Sequence, residues 1–158
     1  MTSAKDHTNE SLQLRSAQTA DLDFVEQCAE RAYSIYVERI GKPPAPMIAD
    51  FAAAQRKQNL EIIISSGVRT GFIVSFSRDN HLFVENIAIH PDFQNQGIAK
   101  RVFAVLVERS KRIGHSAIEL YTNEMMTENL TFYPKLGFRE TDRRSEAGFN
   151  RVYFRLDL

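Results

Sequence analysis

The stretch from residue 81 to residue 121 restricts the possible folds more than any other part of the chain. It reads as a strand over His81–Ile89, a helix over Ile98–Ile113 that ends at Gly114, and a second strand over Ala117–Tyr121. The helix is predicted because its apolar residues recur at helical spacing, and the glycine stands where helices commonly end. A strand, a helix and a strand in this order favour a right-handed crossover between parallel strands of one sheet.

The junction between this strand and this helix is unusually polar. Residues 90–101 read HPDFQNQGIAKR, with a proline, three amides and a glycine in sequence. A helix start needs only one good cap, so the crowding suggests a bound ligand. The start of a helix after a parallel strand presents unpaired backbone N–H groups and the positive end of the helix dipole, which together bind anions. We therefore predict an anion site here, with a plain glycine turn as the alternative.

The rest of the chain predicts more strands and helices on both sides of this unit. Residues 1–10 are expected to be a disordered lead-in, and residues 11–158 to form a single domain. Short turns make the three strands that end at Ile89 an antiparallel meander. The other predicted strands are Leu12–Leu14, Leu60–Ser65, Thr70–Ser77, Phe138–Arg143 and Arg151–Leu156, the last two joined by a turn over Glu146–Phe149. The other predicted helices run from Leu22 towards Ile40, from Met47 to Gln58 and from Thr127 to Leu136.

Composition argues against several classes of partner. Lysine plus arginine and aspartate plus glutamate number 20 each, so the chain lacks the broad positive field that nonspecific nucleic-acid binding uses. No apolar run approaches the roughly 20 residues of a membrane span. Cys28 is the only cysteine, which excludes an intramolecular disulfide and fits a reducing compartment. We expect a cytoplasmic protein with no nucleic-acid or membrane partner, no metal, and Cys28 in the core.

Three motifs in this order resemble those of the GNAT superfamily of N-acetyltransferases. Gln94, Gly97 and Ala99 match its Q/R-x-x-G-x-G/A signature. The preceding Asn86–Pro91 looks like the exit from the family's fourth strand. Leu120–Asn123 and Asn129–Phe138 are similar to its fifth strand and to its fourth helix, with the Y-x-K-x-G-F ending. The resemblance covers nearly the whole chain from residue 12 onward.

The resemblance implies an α/β (α+β) fold with acetyl-coenzyme A as the cofactor. The expected sheet is mixed and mostly antiparallel, with about six or seven strands, about four flanking helices, and a splayed parallel pair that holds the cofactor. The amides of residues 94–99 would cradle the pyrophosphate, and Lys100 or Arg101 would meet a phosphate or else lie on a solvated helix face. Met126 and Asn129 depart from the family pattern, which often has asparagine and alanine there. The implied cofactor-binding residues are Ile87, Ala88, Ile89, Gln94, Asn95, Gln96, Gly97, Ile98, Ala99, Lys100, Asn123, Asn129 and Tyr133.

Two residues are candidates for proton transfer. An alkylammonium, with a pKa of about 10, must lose a proton before it attacks, and a thiolate leaving group benefits from receiving one. The resemblance gives Tyr133 the place of the general acid, unless it is only a core tyrosine. Glu85 is the candidate base, with a substrate anchor or a surface charge as alternatives. Strand alternation puts Phe83, Glu85 and Ile87 on one face, where a partly buried site would raise the carboxyl pKa.

The acceptor site implied by the resemblance is built from the first helical region. Its candidate residues are Tyr33, Tyr36 and Arg39, which suit a small polar or carboxylated substrate but could equally be dimer contacts. We predict direct acetyl transfer to the primary amine of a small molecule by a homodimeric enzyme. The alternatives are a protein or peptide acceptor, a non-catalytic acyl-coenzyme A sensor, and a binding module for another nucleotide.

Overall fold

The computed structural model describes residues 11–158 and contains one seven-stranded sheet with the order β1-β2-β3-β4-β5-β7-β6. All neighbouring strands are antiparallel except β4 and β5, which are parallel. The mostly antiparallel α/β sheet with one parallel pair is thus confirmed. The lead-in predicted for residues 1–10 lies outside the described residues. The strands are β1 Leu12–Ser16, β2 Leu60–Ser65, β3 Val68–Arg78, β4 His81–Ile89, β5 Ala117–Asn123, β6 Arg139–Glu146 and β7 Phe149–Asp157.

The helices follow the predicted order with two corrected boundaries. They are α1 Leu22–Tyr33, α2 Val37–Ile40, α3 Phe51–Arg56, α4 Ile98–Ile113 and α5 Thr127–Lys135. The helical run from residue 22 is divided by a 3-10 turn over Ser34–Tyr36. The helix predicted from Met47 begins at Phe51, because the Asp50 carboxylate caps it there by accepting from the Ala53 N–H at 2.9 Å. No helix among residues 11–158 combines the length and apolar character that a membrane crossing requires.

The helices pack on both faces of the sheet and form two hydrophobic clusters. On one face, α4 and α5 bury residues such as Val102, Leu106 and Tyr133 against the sheet. On the other face, α1 and α3 bury residues such as Val25 and Cys28. Cys28 is fully buried, as predicted for a core residue.

The parallel pair separates half way along its length. Residues 81–84 of β4 pair with residues 117–120 of β5, and no further pairing between these strands is formed. Beyond that point β4 stays paired with β3 as far as Ile89, and β5 stays paired with β7 as far as Asn123. The predicted splay is therefore present, and it leaves the facing backbone edges of residues 85–89 and 121–123 unpaired with each other.

A β-bulge at Glu85 reverses the alternation of β4. Val74 pairs with Asn86 and Ser75 pairs with Val84, so Glu85 is the extra residue. Val84 before the bulge and Ile87 after it both pack in the cluster under α4 and α5. The prediction that Phe83, Glu85 and Ile87 share one face is therefore wrong, because an extra residue shifts the two-residue period by one.

The last two strands form a hairpin around the predicted turn. Ala147 and Gly148 have φ values of 51° and 80°, the left-handed conformation at both central positions that two-residue hairpin turns favour. Such a turn matches the natural twist of the strands. The strands β6 and β7 extend further towards it than the apolar pattern predicted.

Candidate active site

A cavity of about 560 Å³ opens where β4 and β5 separate. Its walls come from both strands, the starts of α4 and α5, the end of α1, the proline loop and β7. Because α4 covers one face of the sheet and α1 the other, the cavity connects the two faces through the gap. A ligand can therefore enter from one face and react with a second ligand that enters from the other.

The start of α4 forms an open cradle of backbone amides. Asn95 and Gly97 adopt left-handed φ values of 63° and 75°, and a Cβ at Gly97 would have nothing within 4 Å. The Arg101 N–H, bonded to the Gly97 carbonyl at 3.2 Å, is the first amide of this helix with a partner. In the part of the chain that the structure describes, the amides of residues 95–100 have no acceptor. This geometry is suited to a phosphate.

Gln94 has a different position from the other residues of the cradle. Its backbone N–H donates to the Pro91 carbonyl at 3.3 Å, and its side-chain Nε2 donates to the Ile89 carbonyl at 2.9 Å. Gln94 thus fastens the loop to the end of β4, and the unpaired amides begin at the next residue. Lys100 lines the cavity, whereas Gln96 is exposed outside its lining.

Tyr133 on α5 lies in an aromatic cluster that faces the cavity. Its ring packs against those of Phe103, Phe138 and Phe154 at centroid distances of 5.6 to 5.8 Å. Burial, with a smaller contribution from nearby Tyr36, raises the pKa of Tyr133 well above its usual value. Among residues 11–158 the hydroxyl has no hydrogen-bond partner, although the residue lines the cavity. The phenol therefore stays protonated at neutral pH and is able to donate its proton to a ligand.

Glu85 is the bulged residue of β4, and Tyr33 at the end of α1 bonds to the two residues that follow it. Glu85 is exposed, not partly buried, and its carboxylate has no ion-pair partner among the described residues. Tyr33 is buried, and its hydroxyl lies 2.6 Å from the Ile87 carbonyl oxygen and 2.9 Å from Asn86 Oδ1. Burial raises the pKa of Tyr33 well above its usual value, so this hydroxyl holds the bulged strand in place as a neutral donor.

Arg39 lies at the rim, outside the residues that line the cavity. Its guanidinium makes two hydrogen bonds of 2.8 Å to the Glu128 carboxylate at the start of α5 and stacks 5.2 Å from the Tyr36 ring. This ion pair lowers the pKa of Glu128. Tyr36 and Glu128 do line the cavity. Arg39 therefore joins α2 to α5 with its charge already neutralised.

The two asparagines predicted near the cofactor both line the cavity. Asn123 Oδ1 accepts from the Met125 N–H at 2.9 Å, and Asn129 Nδ2 donates to Thr122 Oγ1 at 3.0 Å. The Met126 sulfur lies 3.8 Å from that same nitrogen. In each asparagine, one side-chain atom therefore bonds within the protein, and the other remains available to a ligand.

Two cavity residues had no signal in the sequence, whereas one residue behind the cavity wall had one. Arg151 and Phe149 come from β7, which reaches the site only because β7 inserts between β5 and β6. Gly71 on β3 approaches β4 so closely that a Cβ there would lie 2.2 Å from the Ala88 carbonyl oxygen. A glycine inside a strand is the one pattern that indicates such a close approach. Within the described range, no group of three or more His, Cys, Asp or Glu residues is arranged to hold a metal ion.

The chain matches known proteins of one family. A family model described as acetyltransferase (GNAT) domain matches residues 52–140. An uncharacterized N-acetyltransferase, YvbK of Bacillus subtilis, is 28% identical over 68 residues, which span 43% of this chain and 44% of that protein.

Solved structures give the same fold over almost the full length. The ribosomal-protein-S18-alanine N-acetyltransferase of Escherichia coli has a TM-score of 0.73 and 19% identity, covering 93% of this chain and 94% of its own. A GNAT family acetyltransferase from Elizabethkingia anophelis, with acetyl-CoA bound, has a TM-score of 0.70 and 20% identity, covering 95% of this chain and 99% of its own.

Proposed function

Because this chain belongs to the GNAT superfamily of acetyltransferases, we propose that it transfers the acetyl group of acetyl-coenzyme A directly to the primary amine of a small molecule. The observation that carries the proposal is the continuous path from the amide cradle at Gly97, along the unpaired edge of β4, to the phenol of Tyr133. Acetyl-coenzyme A requires three features in this order: a cradle for its phosphates, a strand edge for its amides and a proton donor for its sulfur.

The residues present fit an acyl-coenzyme A. The amides of residues 95–100 and the Lys100 ammonium would hold the pyrophosphate, because both direct positive charge at one point. The backbone N–H groups of Ile87 and Ile89, on the edge of β4 without a strand partner, would bind carbonyls of the pantetheine arm as a sheet edge binds an extended peptide. The carbonyl oxygens of these two residues already accept from Tyr33 and Gln94. Ala88, Ile98, Ala99, Asn123 and Asn129 would complete the wall. The open space beside Gly97 leaves room for a phosphate to approach.

The bound donor supplies a thioester whose carbonyl carbon accepts an amine and whose sulfur leaves. Glu85 would take a proton from the incoming ammonium, directly or through water, since its carboxylate is exposed in the acceptor end of the cavity. Tyr133 would donate its proton to the departing thiolate and recover one from solvent, to which the second proton of the amine and the proton taken by Glu85 are released. The C–N bond forms as the C–S bond breaks, and the products are the N-acetyl amine and the free thiol. Burial of Cys28 argues against a covalent cysteine intermediate.

The acceptor end of the cavity is narrowed by two bridges. Lys42 Nζ donates to the Gly148 carbonyl at 2.6 Å and lies 4.2 Å from the Phe149 ring, which joins the proline loop to the hairpin. The Arg39–Glu128 ion pair closes a second side. A small amine passes such an opening more easily than a folded protein terminus, which favours a small-molecule acceptor. Tyr36 would lie beside the acceptor, and Tyr33 would support the strand behind it.

The first experiment measures thiol release from acetyl-coenzyme A across amines, amino acids, polyamines, aminoglycosides and short peptides. The Tyr133→Phe variant is compared with Ser77→Ala, which removes a hydroxyl from β3 outside the cavity lining. We expect release with one class of small amine, a fall of roughly 10²-fold in Tyr133→Phe, and little change in the control. Equal rates in both variants would remove Tyr133 from the chemistry. Release only with peptides would change the acceptor class, and binding without any release would favour the sensor function.

The proposal also covers the domain, the cellular compartment and the assembly of the enzyme. Residues 11–158 would form a single acetyltransferase domain that works in the cytoplasm, where one cysteine without a disulfide is common. A homodimer is the expected assembly. Sedimentation equilibrium tests this, and a monomer at micromolar concentration would contradict it.

A further inference from the structure

Arg151 lies at the end of the cavity that is opposite the amide cradle. It pairs with Asn123 across β5 and β7, and the next pair, Thr122 and Val152, packs Val152 into the cluster under α4 and α5. Since neighbouring strand residues alternate between faces, Arg151 points to the other face of the sheet. The donor's phosphates and Arg151 are therefore on opposite sides of the gap, and Arg151 lies on the side from which the acceptor would enter.

The guanidinium of Arg151 is held rigidly. Its side chain is only 16% exposed, its Nη1 donates to Glu146 Oε2 at 3.1 Å, and its Cζ lies 4.3 Å from the Tyr121 ring centre. Glu146 is itself fixed by the Tyr153 hydroxyl at 2.9 and 3.0 Å. An arginine that is already ordered loses little entropy when it binds an anion, and its fork matches a carboxylate.

Glu146 pairs with Arg151 only through Nη1, and it also pairs with Arg144 at 3.6 Å, so the rest of the Arg151 guanidinium remains for an anionic group. Arg39, the arginine predicted from the sequence, is paired on both nitrogens with Glu128 and lies outside the cavity lining. Lys42 bonds only to a carbonyl oxygen and an aromatic ring, with no carboxylate partner among residues 11–158, and adds positive charge beside Phe149. Glu85, whose carboxylate faces the same cavity, offers negative charge near the reacting amine.

We propose that Arg151 is a specificity-determining residue that binds a carboxylate of the acceptor, so that the preferred acceptor is a small amine that also carries a carboxyl group, such as an amino acid. The ammonium lies towards Glu85 and the carboxylate towards Arg151, with Lys42 adding longer-range attraction. This inference rests on the proposed acetyl transfer and adds the class of its acceptor.

The test uses pairs of acceptors that differ only in the carboxylate. Amino acids are compared with their carboxamides and with the corresponding decarboxylated amines, and kcat and KM are measured for each with wild type, Arg151→Gln and Arg151→Lys. Arg155→Gln is the matched control, since Arg155 is also an ion-paired arginine of β7 but lies outside the cavity lining. Thermal unfolding of each variant and its affinity for coenzyme A report whether the fold and the donor site are intact.

Wild type is expected to prefer the carboxylated member of each pair. Arg151→Gln should lower kcat/KM for that member by roughly 10- to 100-fold, mainly through KM, as loss of a hydrogen-bonded charge pair predicts. The uncharged members, the affinity for coenzyme A and the Arg155→Gln enzyme should change little, and Arg151→Lys should recover part of the preference.

Three results would overturn the inference. Equal use of both members by wild type would show that no carboxylate is read, and an equal loss for both members in Arg151→Gln would show a structural role instead. In either case acetyl transfer itself would stand. Failure to acetylate any amine would instead overturn the proposed function, and the acceptor class would fall with it.

Discussion

Replacing Gly71 by alanine tests whether the close contact between β3 and β4 sets the shape of the active site. The added Cβ would lie 2.2 Å from the Ala88 carbonyl oxygen and 3.1 Å from Ile89 Cα. An ordinary carbon–oxygen contact is about 3.3 Å, so the two strands must separate by about 1 Å at this point. Backbone, not a flexible side chain, has to move, and the residues that move are the ones that line the cavity.

The magnitude follows from two separate effects. Forcing extra volume into a packed interior typically costs about 1–3 kcal/mol, so we expect the free energy of unfolding to fall by roughly 2 kcal/mol. A displacement of about 1 Å between reacting groups costs on the order of 10²-fold in rate. Gly71→Ala should therefore weaken binding of coenzyme A and slow acetyl transfer by about that factor, even where the protein is fully folded.

The measurements are urea unfolding, calorimetric titration with coenzyme A and the rate of thiol release. Gly67→Ala is the control, because Gly67 has a φ of 78° but nothing within 4 Å of an added Cβ and lies in the β2–β3 turn. It should lose about 1 kcal/mol of stability from backbone strain alone and keep its affinity for coenzyme A. If Gly71→Ala binds coenzyme A and unfolds like wild type, the close approach has no role in shaping the site.

Three further predictions concern the cradle, an anchor of α1 and the cysteine. Gly97→Glu should abolish measurable coenzyme A binding by calorimetry through bulk, strain and like charge, whereas Gly114→Glu at the other end of α4, with a similar φ of 86°, should retain it; equal losses would contradict the phosphate site. Asp21, whose pKa is held well below its usual range by Arg15 hydrogen bonds of 2.7 and 2.9 Å, should add about 2 kcal/mol of stability at pH 7. Because its folded-state pKa is depressed, this contribution is complete above about pH 5 and declines as the pH falls further; chemical unfolding of Asp21→Asn and wild type should therefore converge in acid, and a constant difference would refute the role. Burial raises the pKa of the Cys28 thiol to about 12, so a thiol reagent at pH 8 should label unfolded but not native protein, and rapid native labelling would show that α1 opens.

Local features of the chain were predictable because their physics is local. The polar turn around Gly97 was predicted as an anion site from adjacent residues, and in the structure the amides of residues 95–100 have no acceptor among the described residues. The order of strands and helices followed from apolar period, and the parallel pair followed from the helix between its strands. Boundaries were less predictable where a short-range cap competed with the apolar pattern, as Asp50 does at α3.

The face on which a strand residue lies was predictable only while the register was unbroken. A single extra residue at Glu85 reversed the pattern for the rest of β4, and the sequence of β4 contains no glycine or proline to mark it. Gly71 carried a signal, since glycine inside a strand indicates a close backbone approach.

What the sequence by itself determined is the family and the polar turn at the start of α4, because each motif is a short run of neighbouring residues. Only the tertiary structure decided which charged side chains line the cavity. Arg39 is neutralised by Glu128, a residue 89 positions away, while Arg151 enters the cavity because β7 pairs with β5. The electrostatic energy of a charged side chain depends on the charges and dipoles within a few ångströms of it. Chain folding, rather than spacing along the chain, decides which groups come that close.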